Sequence, residues 1–260
     1  MSDIDDSRAP LLDHLIELRR RLLWSIAALA VAFGACLYFA RPIFAFLVQP
    51  LLKAGQNRII YTDVFEAFFV DVKVAFFAAI MVAFPVLATQ IWKFVAPGLY
   101  KNEKRALLPF LFMTPELFGA GAAMAYYVAM PIALTFLLGF EGNVGGVTQE
   151  ALPGVGNYLN FVTKFMFGFG VSFLTPVMLM LLERSGIVTR AQLVAGRRYA
   201  IVIAFVIAAV LTPPDIISQL LLGIPLVLLY ELALIAIWFT ERKRKKQAPP
   251  TSVEEARGSS

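Results

Sequence analysis

The sequence predicts an all-α membrane protein with six transmembrane helices, and two observations support this prediction. Of the 260 residues, 59% are apolar and only 16% are charged, whereas soluble domains average about 45–50% apolar and about 25% charged residues. The apolar residues are also concentrated in runs that are long enough to cross a bilayer. Because lipid offers no hydrogen-bonding partner to a backbone N–H or C=O group, each run is expected to be helical.

The predicted spans form a single polytopic domain over residues 1–240. A basic tail, residues 241–260, follows this domain and is expected to be disordered. The spans cover residues 22–40, 74–92, 106–138, 157–182, 199–211 and 216–239.

The distribution of Lys and Arg residues predicts the orientation of these spans. With the N-terminus in the cytoplasm, 18 of the 23 Lys and Arg residues fall in cytoplasmic segments and five fall outside. Cytoplasmic loops of membrane proteins carry such an excess of positive charge. We therefore expect both termini to lie in the cytoplasm.

The fifth run is too short for an ordinary span. As a helix, residues 199–211 reach roughly 20 Å, whereas the hydrocarbon core is about 30 Å thick. Pro213 and Pro214 follow this run at once. We therefore expect the fifth and sixth helices to form a short hairpin that thins the bilayer locally or faces other protein.

The two external segments differ in composition. Residues 41–71 contain several Phe and Pro residues, which predicts short helices lying at the membrane interface. Residues 141–156 are rich in Gly and are expected to form a flexible loop. Asp63, Glu66 and Asp71 lie in the first segment without His or Cys, so solvation or local pairing is favoured over metal binding there.

Charged residues are concentrated at two cytoplasmic positions, residues 14–21 and residues 101–105. At helical spacing Glu17 can pair with Arg20 or Arg21, which would make an ordinary salt-bridged face. Glu103 is likewise surrounded by basic residues. The alternative is that both carboxylates serve a ligand, since two separated carboxylates can hold two adjacent guanidinium groups.

Catalytic or metal-binding residues are not evident in the sequence. The lone Cys36 excludes an internal disulfide, and His14 is the only His, which argues against a multi-histidine metal site. We therefore expect no enzyme activity and no cofactor. An ion-coupled secondary transporter of a small solute remains the alternative function, although no internal repeat of the kind typical of that class is seen.

Four segments together resemble the TatC family, the multispanning receptor of the twin-arginine protein translocase. They are residues 14–19 (HLIELR), 96–103 (APGLYKNE), 169–173 (FGVSF) and 211–215 (LTPPD). The resemblance covers about residues 10–240 in order. It implies a six-helix, cupped structure with short fifth and sixth helices.

The resemblance also implies roles for individual residues. The residues that match those binding the signal peptide in this family are Glu17, Arg19, Phe94 and Glu103. Three further matches, with roles in structure or partner contact, are Pro50, Asp215 and Gln219. No nucleic acid, metal or cofactor is implied.

The function implied by the resemblance is export of folded proteins across the bacterial cytoplasmic membrane. The ligands would be twin-arginine signal peptides, and the proton-motive force would drive transport. The implied partners are the single-span subunits TatB and TatA, which dock along the last two helices, further copies of the chain itself, and the lipid bilayer.

The chain departs from the family pattern inside the membrane. Many members carry a buried glutamate where this sequence has Leu174, and this chain instead carries Glu116 in the third span. Both positions lie roughly 15 Å deep on sequential antiparallel helices. We hypothesise that Glu116 is a buried cavity carboxylate that replaces the missing one. The alternative is an incidental polar residue satisfied by Thr114 or by backbone groups freed at Pro115.

Overall fold

The computed structural model describes residues 3–99, 108–212 and 215–247 of the chain. Helices dominate these ranges, together with one short β-hairpin. In chain order the elements are α1 (Asp3–Tyr38), α2 (Ala40–Lys53), α3 (Glu66–Leu99), α4 (Leu108–Met124), a π-helical segment (Ala125–Ala129), α5 (Met130–Leu138), β1 (Gly142–Val144), β2 (Val147–Gln149), α6 (Val155–Ser172), α7 (Thr175–Arg184), α8 (Arg190–Ala195), α9 (Arg197–Leu211) and α10 (Ile216–Gln247).

Within the described ranges, five helical stretches are long and apolar enough to cross a membrane. They are Leu15–Tyr38, Glu66–Phe94, Phe110–Leu138, Val155–Arg184 and Ile216–Arg242. The remaining predicted span, the fifth, corresponds to the 15-residue helix α9, which is short, as predicted. The prediction that the next helix is also short is wrong, because α10 continues for 32 residues and accommodates Pro225 in its interior.

Helix α10 also extends into the segment that was predicted to be a disordered tail. It continues past the predicted end of the domain at residue 240 and reaches Gln247. Lys and Arg are good helix formers, so the basic run can prolong the helix that precedes it. Residues 248–260 lie outside the described part of the chain.

Helix α1 stands at the edge of the fold and packs mainly against α3. Only 6% of its apolar window is buried. The contact uses small side chains, with Cys36 of α1 buried beside Ala75 and Ala79 of α3. Small residues allow two membrane helices to approach closely.

The main core is formed by α2, α3, α6, α9, α10 and the α4–α5 segment. Its fully buried side chains include Val74, Met130, Phe165, Phe169 and Leu222. Helices α4 and α6 make close contact at Gly121. A Cβ atom at this position would lie 2.6 Å from the carbonyl oxygen of Phe169, so a larger residue does not fit without a shift.

Two predicted spans are interrupted. The third changes to a π-helix at Ala125–Ala129 before continuing as α5. The fourth breaks after Ser172 and resumes as α7, with Pro176 in the first turn of the new helix. Pro is tolerated in a first turn because the N–H group it lacks has no partner there in any helix.

The cap, which we define as α2, residues 54–65 and the β1–β2 hairpin, covers one end of the bundle. Of the short helices predicted within residues 41–71, one is present as α2. The flexible loop predicted at residues 141–156 is instead partly a hairpin. Gly145 and Gly146 form its two-residue turn with φ values of +63° and +91°, a conformation that Gly adopts readily.

The cap is fastened to the bundle by hydrogen bonds from buried and loop groups. The Tyr158 hydroxyl donates to the Leu47 carbonyl oxygen at 2.7 Å, and the Tyr126 hydroxyl donates to that of Phe46 at 2.6 Å. The Glu66 carboxylate accepts from the Gly156 backbone N–H at 2.6 Å, which joins the starts of α3 and α6. Its other oxygen accepts from the Thr62 hydroxyl at 2.9 Å, so Glu66 also pairs locally, which is one of the predicted alternatives.

Candidate functional site

A charged cleft lies between α1 and α3 at the end of these helices opposite the cap. We define the charged cleft by its lining residues, which are Glu17, Arg20, Arg21, Trp24, Gln90 and Lys93. Its volume is about 450 Å³. One carboxylate, three cationic groups, one amide and one indole thus face a common space.

Glu17 and Arg21 form an ion pair along α1. The Arg21 Nε atom donates to Glu17 Oε1 at 3.1 Å, and Arg21 Nη2 contacts the same oxygen. The i,i+4 spacing that predicted a salt-bridged face is confirmed for this pair. A carboxylate has about four acceptor sites, and Oε2 of Glu17 accepts no hydrogen bond from the described residues, so this oxygen can receive a ligand.

The accessibility of the pair matters for binding. The side chains of Arg21 and Glu17 are 21% and 34% exposed. They are therefore neither sequestered in the core nor fully hydrated. In such surroundings, charge–charge interactions are stronger than in bulk water, so the site can distinguish ligands by charge.

Helix α3 supplies the other wall of the charged cleft, and its position is fixed by a buried hydrogen bond. The indole N–H of Trp92 donates to Thr114 Oγ1 of α4 at 2.8 Å. Thr114 in turn donates to the Phe110 carbonyl oxygen at 2.7 Å. With Trp92 held in the core, the adjacent Lys93 points into the cleft and Phe94 is half-buried.

The predicted signal-peptide residues are only partly brought together among the described residues. Glu17 lines the charged cleft, and Phe94 follows the cleft residue Lys93. Arg19 is exposed and does not line the cleft. Glu103 lies outside the described residues.

The predicted structural or partner-contact residues are all near helix ends. Pro50 is buried within α2. Asp215 is buried just before α10, and its Oδ1 accepts from the Ser218 backbone N–H at 2.6 Å, which caps the helix. The Gln219 side chain donates to the Phe205 carbonyl oxygen at 3.2 Å and so joins α10 to α9.

The prediction that Glu116 is a buried carboxylate is wrong. Glu116 is exposed and lies beside the exposed Phe112 and Met113 on α4. The opposite face of α4, with Phe118, packs against α6. Two residues turn a helix by about 200°, so Glu116 points away from α6 and cannot occupy the place of Leu174.

The alternative partner proposed for Glu116 is also excluded. The Thr114 hydroxyl is already engaged by Trp92 and by the Phe110 carbonyl oxygen. No hydrogen bond or ion pair joins Glu116 to another residue in the described part of the chain. The sequence pattern therefore did not predict the direction in which this side chain points.

Three cleft residues were not singled out from the sequence, namely Trp24, Gln90 and Lys93. Trp24 follows Glu17 by seven residues, a spacing that places both on one helix face. Gln90 and Lys93 are three apart and also share a face. This spacing could have indicated both walls, but only the packing of α1 on α3 brings them together.

These features define a class of protein before any comparison is made. The chain is a polytopic helical membrane protein with a charged, accessible cleft at one end of the bundle and a fastened cap at the other. Within the described residues, no group of three or more His, Cys, Asp or Glu side chains could hold a metal ion.

The comparisons with known proteins assign the chain to a family within this class. The profile of the family described as Sec-independent protein translocase protein (TatC) matches residues 13–225. The Magnetococcus marinus protein of that name is 47% identical over 96% of this chain and 91% of its own length. The Aquifex aeolicus protein is 40% identical over 91% of this chain and 98% of its own length. The chain belongs to the TatC family.

A solved structure agrees with this assignment. A crystal structure of the twin arginine translocase receptor TatC in DDM matches with a TM-score of 0.75 and 39% sequence identity. The match covers 86% of this chain and 98% of the crystallised one. The chain is therefore a multi-pass membrane protein of a protein translocase family.

Proposed function

We propose that the chain is the receptor and core subunit of a twin-arginine translocase and binds twin-arginine signal peptides at its charged cleft. The observation that supports this most directly is Glu17, a partly exposed carboxylate with one oxygen unbonded by described residues. The guanidinium group is planar and always charged, and it matches a carboxylate in a two-bond geometry. Signal arginines can therefore add to the free side of Glu17.

A second carboxylate is needed, because the described lining of the charged cleft carries three cationic groups and one anionic group. Such a lining by itself repels a ligand with two positive charges. We propose that Glu103 supplies the second carboxylate. Arg20, Arg21 and Lys93 then disfavour other cationic ligands, since a ligand that satisfies only one carboxylate still meets their repulsion.

The arrangement in the membrane follows from the same proposal. The charged cleft faces the cytoplasm, both termini are cytoplasmic, and the cap lies on the outer side of the bacterial cytoplasmic membrane. Residues 1–240 act as one domain with six spans, of which α9 is the shortest. The TatB and TatA subunits dock along α9 and α10, where Val202, Val206 and Val210 are exposed.

Transport in this proposal is driven by the proton-motive force, without catalysis or a bound cofactor in this subunit. Folded cargo crosses after the signal peptide has engaged. Further copies of the chain take part in the assembled translocase. No specific contact in the described residues favours the alternative of a small-solute transporter.

Binding of a labelled twin-arginine signal peptide to the purified protein tests the proposal. We expect Glu17→Ala and Glu103→Ala each to weaken binding at least tenfold, because each leaves one arginine without its carboxylate. Glu150→Ala is the matched control, since Glu150 is an exposed carboxylate near the hairpin of the cap. A peptide with both arginines replaced by lysine should bind as weakly as the Glu17 variant. Equal binding of the two peptides by the parent protein would contradict the proposal.

A further inference from the structure

A second cavity, separate from the charged cleft, lies between α3 and α6 in the half of the molecule nearer the cap. This groove has a volume of about 360 Å³. Polar groups of Lys73, Asn160 and Lys164 line it together with the apolar side chains of Phe76, Ile80 and Phe167. Nothing in the proposed binding of signal peptides uses it.

The polarity of the groove changes along the helices. Helices α3 and α6 start side by side, because Glu66 at the start of α3 accepts a hydrogen bond from Gly156 at the start of α6. Lys73 and Lys164 follow these starts by about 10 Å and about 14 Å along the helix axes. Ile80 and Phe167 lie deeper, so the groove is charged toward the cap and apolar toward the centre of the bundle.

The two ammonium groups have no anionic partner among the residues that the structure describes. Lys73 Nζ donates to Asn160 Oδ1 at 3.4 Å, which is a long hydrogen bond to a neutral group. Neither lysine belongs to an ion pair with any described residue. The nearby Glu66 carboxylate is occupied by Thr62, Asp63 and Gly156.

Asp71 does not provide the missing charge either. It precedes Lys73 by two residues, which turns its side chain by about 200° to the other face of α3. Lysines within a membrane span are costly unless they pair with a charge or reach the interface. The cap end of the groove therefore carries two positive charges that no described residue neutralises.

We propose that this groove binds one anionic phospholipid. Its phosphate lies between Lys73 and Lys164, and one acyl chain lies against Phe76, Ile80 and Phe167. The order of groups in the groove matches the order in such a lipid, with the charge near the membrane surface and hydrocarbon deeper. Long Lys side chains can extend toward the interface to meet a phosphate.

The groove fits a lipid better than a carboxylate-bearing membrane helix. From Lys73 to Ile80 it extends about 10 Å, or two helical turns. Helices that pack tightly in membranes use small residues at the contact. No glycine or alanine is among the described residues that line the groove, and aromatic rings form its walls.

Lipid retention by the purified protein tests this proposal. In detergent micelles with equal phosphatidylglycerol and phosphatidylcholine of the same acyl chains, native mass spectrometry should find one phosphatidylglycerol retained per chain. Lys73→Gln and Lys164→Gln should each weaken its affinity about fivefold, as expected for loss of one basic contact to an anionic lipid. Lys53→Gln is the matched control, because Lys53 is exposed at the end of α2 and does not line the groove.

A second substitution tests the apolar half of the site. Ile80→Trp fills the deep end and should reduce phosphatidylglycerol retention while both lysines remain. Glycerol phosphate, which has the headgroup chemistry without an acyl chain, should not displace phosphatidylglycerol when the two are present at equal concentration. A melting temperature shows whether each lysine variant folds. If one does not, two measurements still test whether the groove binds an anionic lipid: retention by Ile80→Trp and the comparison of the two lipids in the parent.

Three outcomes would overturn the proposal. One is equal retention of the two lipids by the parent, and another is unchanged phosphatidylglycerol affinity in the Lys73→Gln/Lys164→Gln double variant. The third is that an acidic single-span helix binds the protein in the absence of phosphatidylglycerol and that this binding requires the two lysines. Twin-arginine peptide binding should be the same in all these variants as in the parent, so failure here is distinguishable from failure of the proposed receptor function.

Discussion

The cap and the charged cleft lie at opposite ends of α1 and α3, and they are built differently. In the cap, residues 54–65 bond to the segment between the β1–β2 hairpin and α6: Gln56 Nε2 donates to the Ala151 carbonyl oxygen at 2.5 Å, and the Ile60 backbone N–H donates to that of Pro153 at 3.2 Å. In the charged cleft, the ion pair joins two residues of one helix, Glu17 and Arg21. The cap uses its polar groups to hold the fold together.

This difference indicates that the cap contributes mainly to stability and the charged cleft mainly to ligand binding. A polar group that is already bonded inside the protein contributes to stability, but it is not available to a ligand. A charged group with an oxygen that no described residue bonds, such as Glu17, contributes little to stability and is available to a ligand. We therefore expect substitutions in the cap to change stability and substitutions in the charged cleft to change binding.

The largest effect on stability is expected for Leu47→Ala in the cap. Leu47 is fully buried against the main core, and truncating such a side chain costs about 2–5 kcal/mol. Leu52→Ala in the same helix is the control, since Leu52 is 46% exposed, and we expect it to change stability by less than about 0.5 kcal/mol. Unfolding by SDS titration in mixed micelles measures both. Similar losses in the two variants would show that the cap does not depend on this buried contact.

A smaller effect is expected for Tyr158→Phe. This substitution removes only the hydroxyl group that donates to the Leu47 carbonyl oxygen, and the loss of such a bond costs about 1 kcal/mol. Tyr127→Phe is the matched control, because Tyr127 is 62% exposed. The same SDS titration should detect the first change and not the second. An unchanged transition midpoint for Tyr158→Phe would show that this hydrogen bond does not help to hold the cap on the bundle.

The smallest effect on stability, with a change in binding instead, is expected for Arg21→Ala. An i,i+4 ion pair on a helix surface contributes about 0.2–0.5 kcal/mol. The substitution also frees Glu17 Oε1 and removes one positive charge from the charged cleft, so twin-arginine peptide should bind more tightly. Arg41→Ala, at the exposed start of α2, should leave peptide binding unchanged. A loss of binding as large as that of Glu17→Ala would mean that Arg21 orients the carboxylate rather than competing for it.

The sequence was sufficient wherever the membrane itself imposes the constraint. The long apolar runs predicted the helices, since lipid forces the backbone to bond within each helix. The shortness of α9 was predicted because it depends only on how many residues separate the preceding charged residues from Pro213. The Glu17–Arg21 pair was among the predicted alternatives because it depends only on spacing along one helix.

Predictions that depended on side-chain direction were less successful. Glu116 was predicted to be buried, but its face of α4 is exposed because Phe118 and Gly121 occupy the contact with α6. The Gly-rich segment was predicted to be flexible, but Gly145 and Gly146 form the turn of a hairpin. In both cases, contacts with other segments selected one arrangement among several that the local sequence permits.

Sequence patterns alone were enough to predict the class of the protein, its apolar runs and the carboxylate that precedes the first of them. Each of these follows from local spacing and from the solvent that the helix must enter. Helix packing, in contrast, brings Lys93 to face Glu17 across a cleft and places Lys73 and Lys164 in one groove. Residues on different helices meet according to how the whole core packs, and that depends on shape complementarity between distant segments.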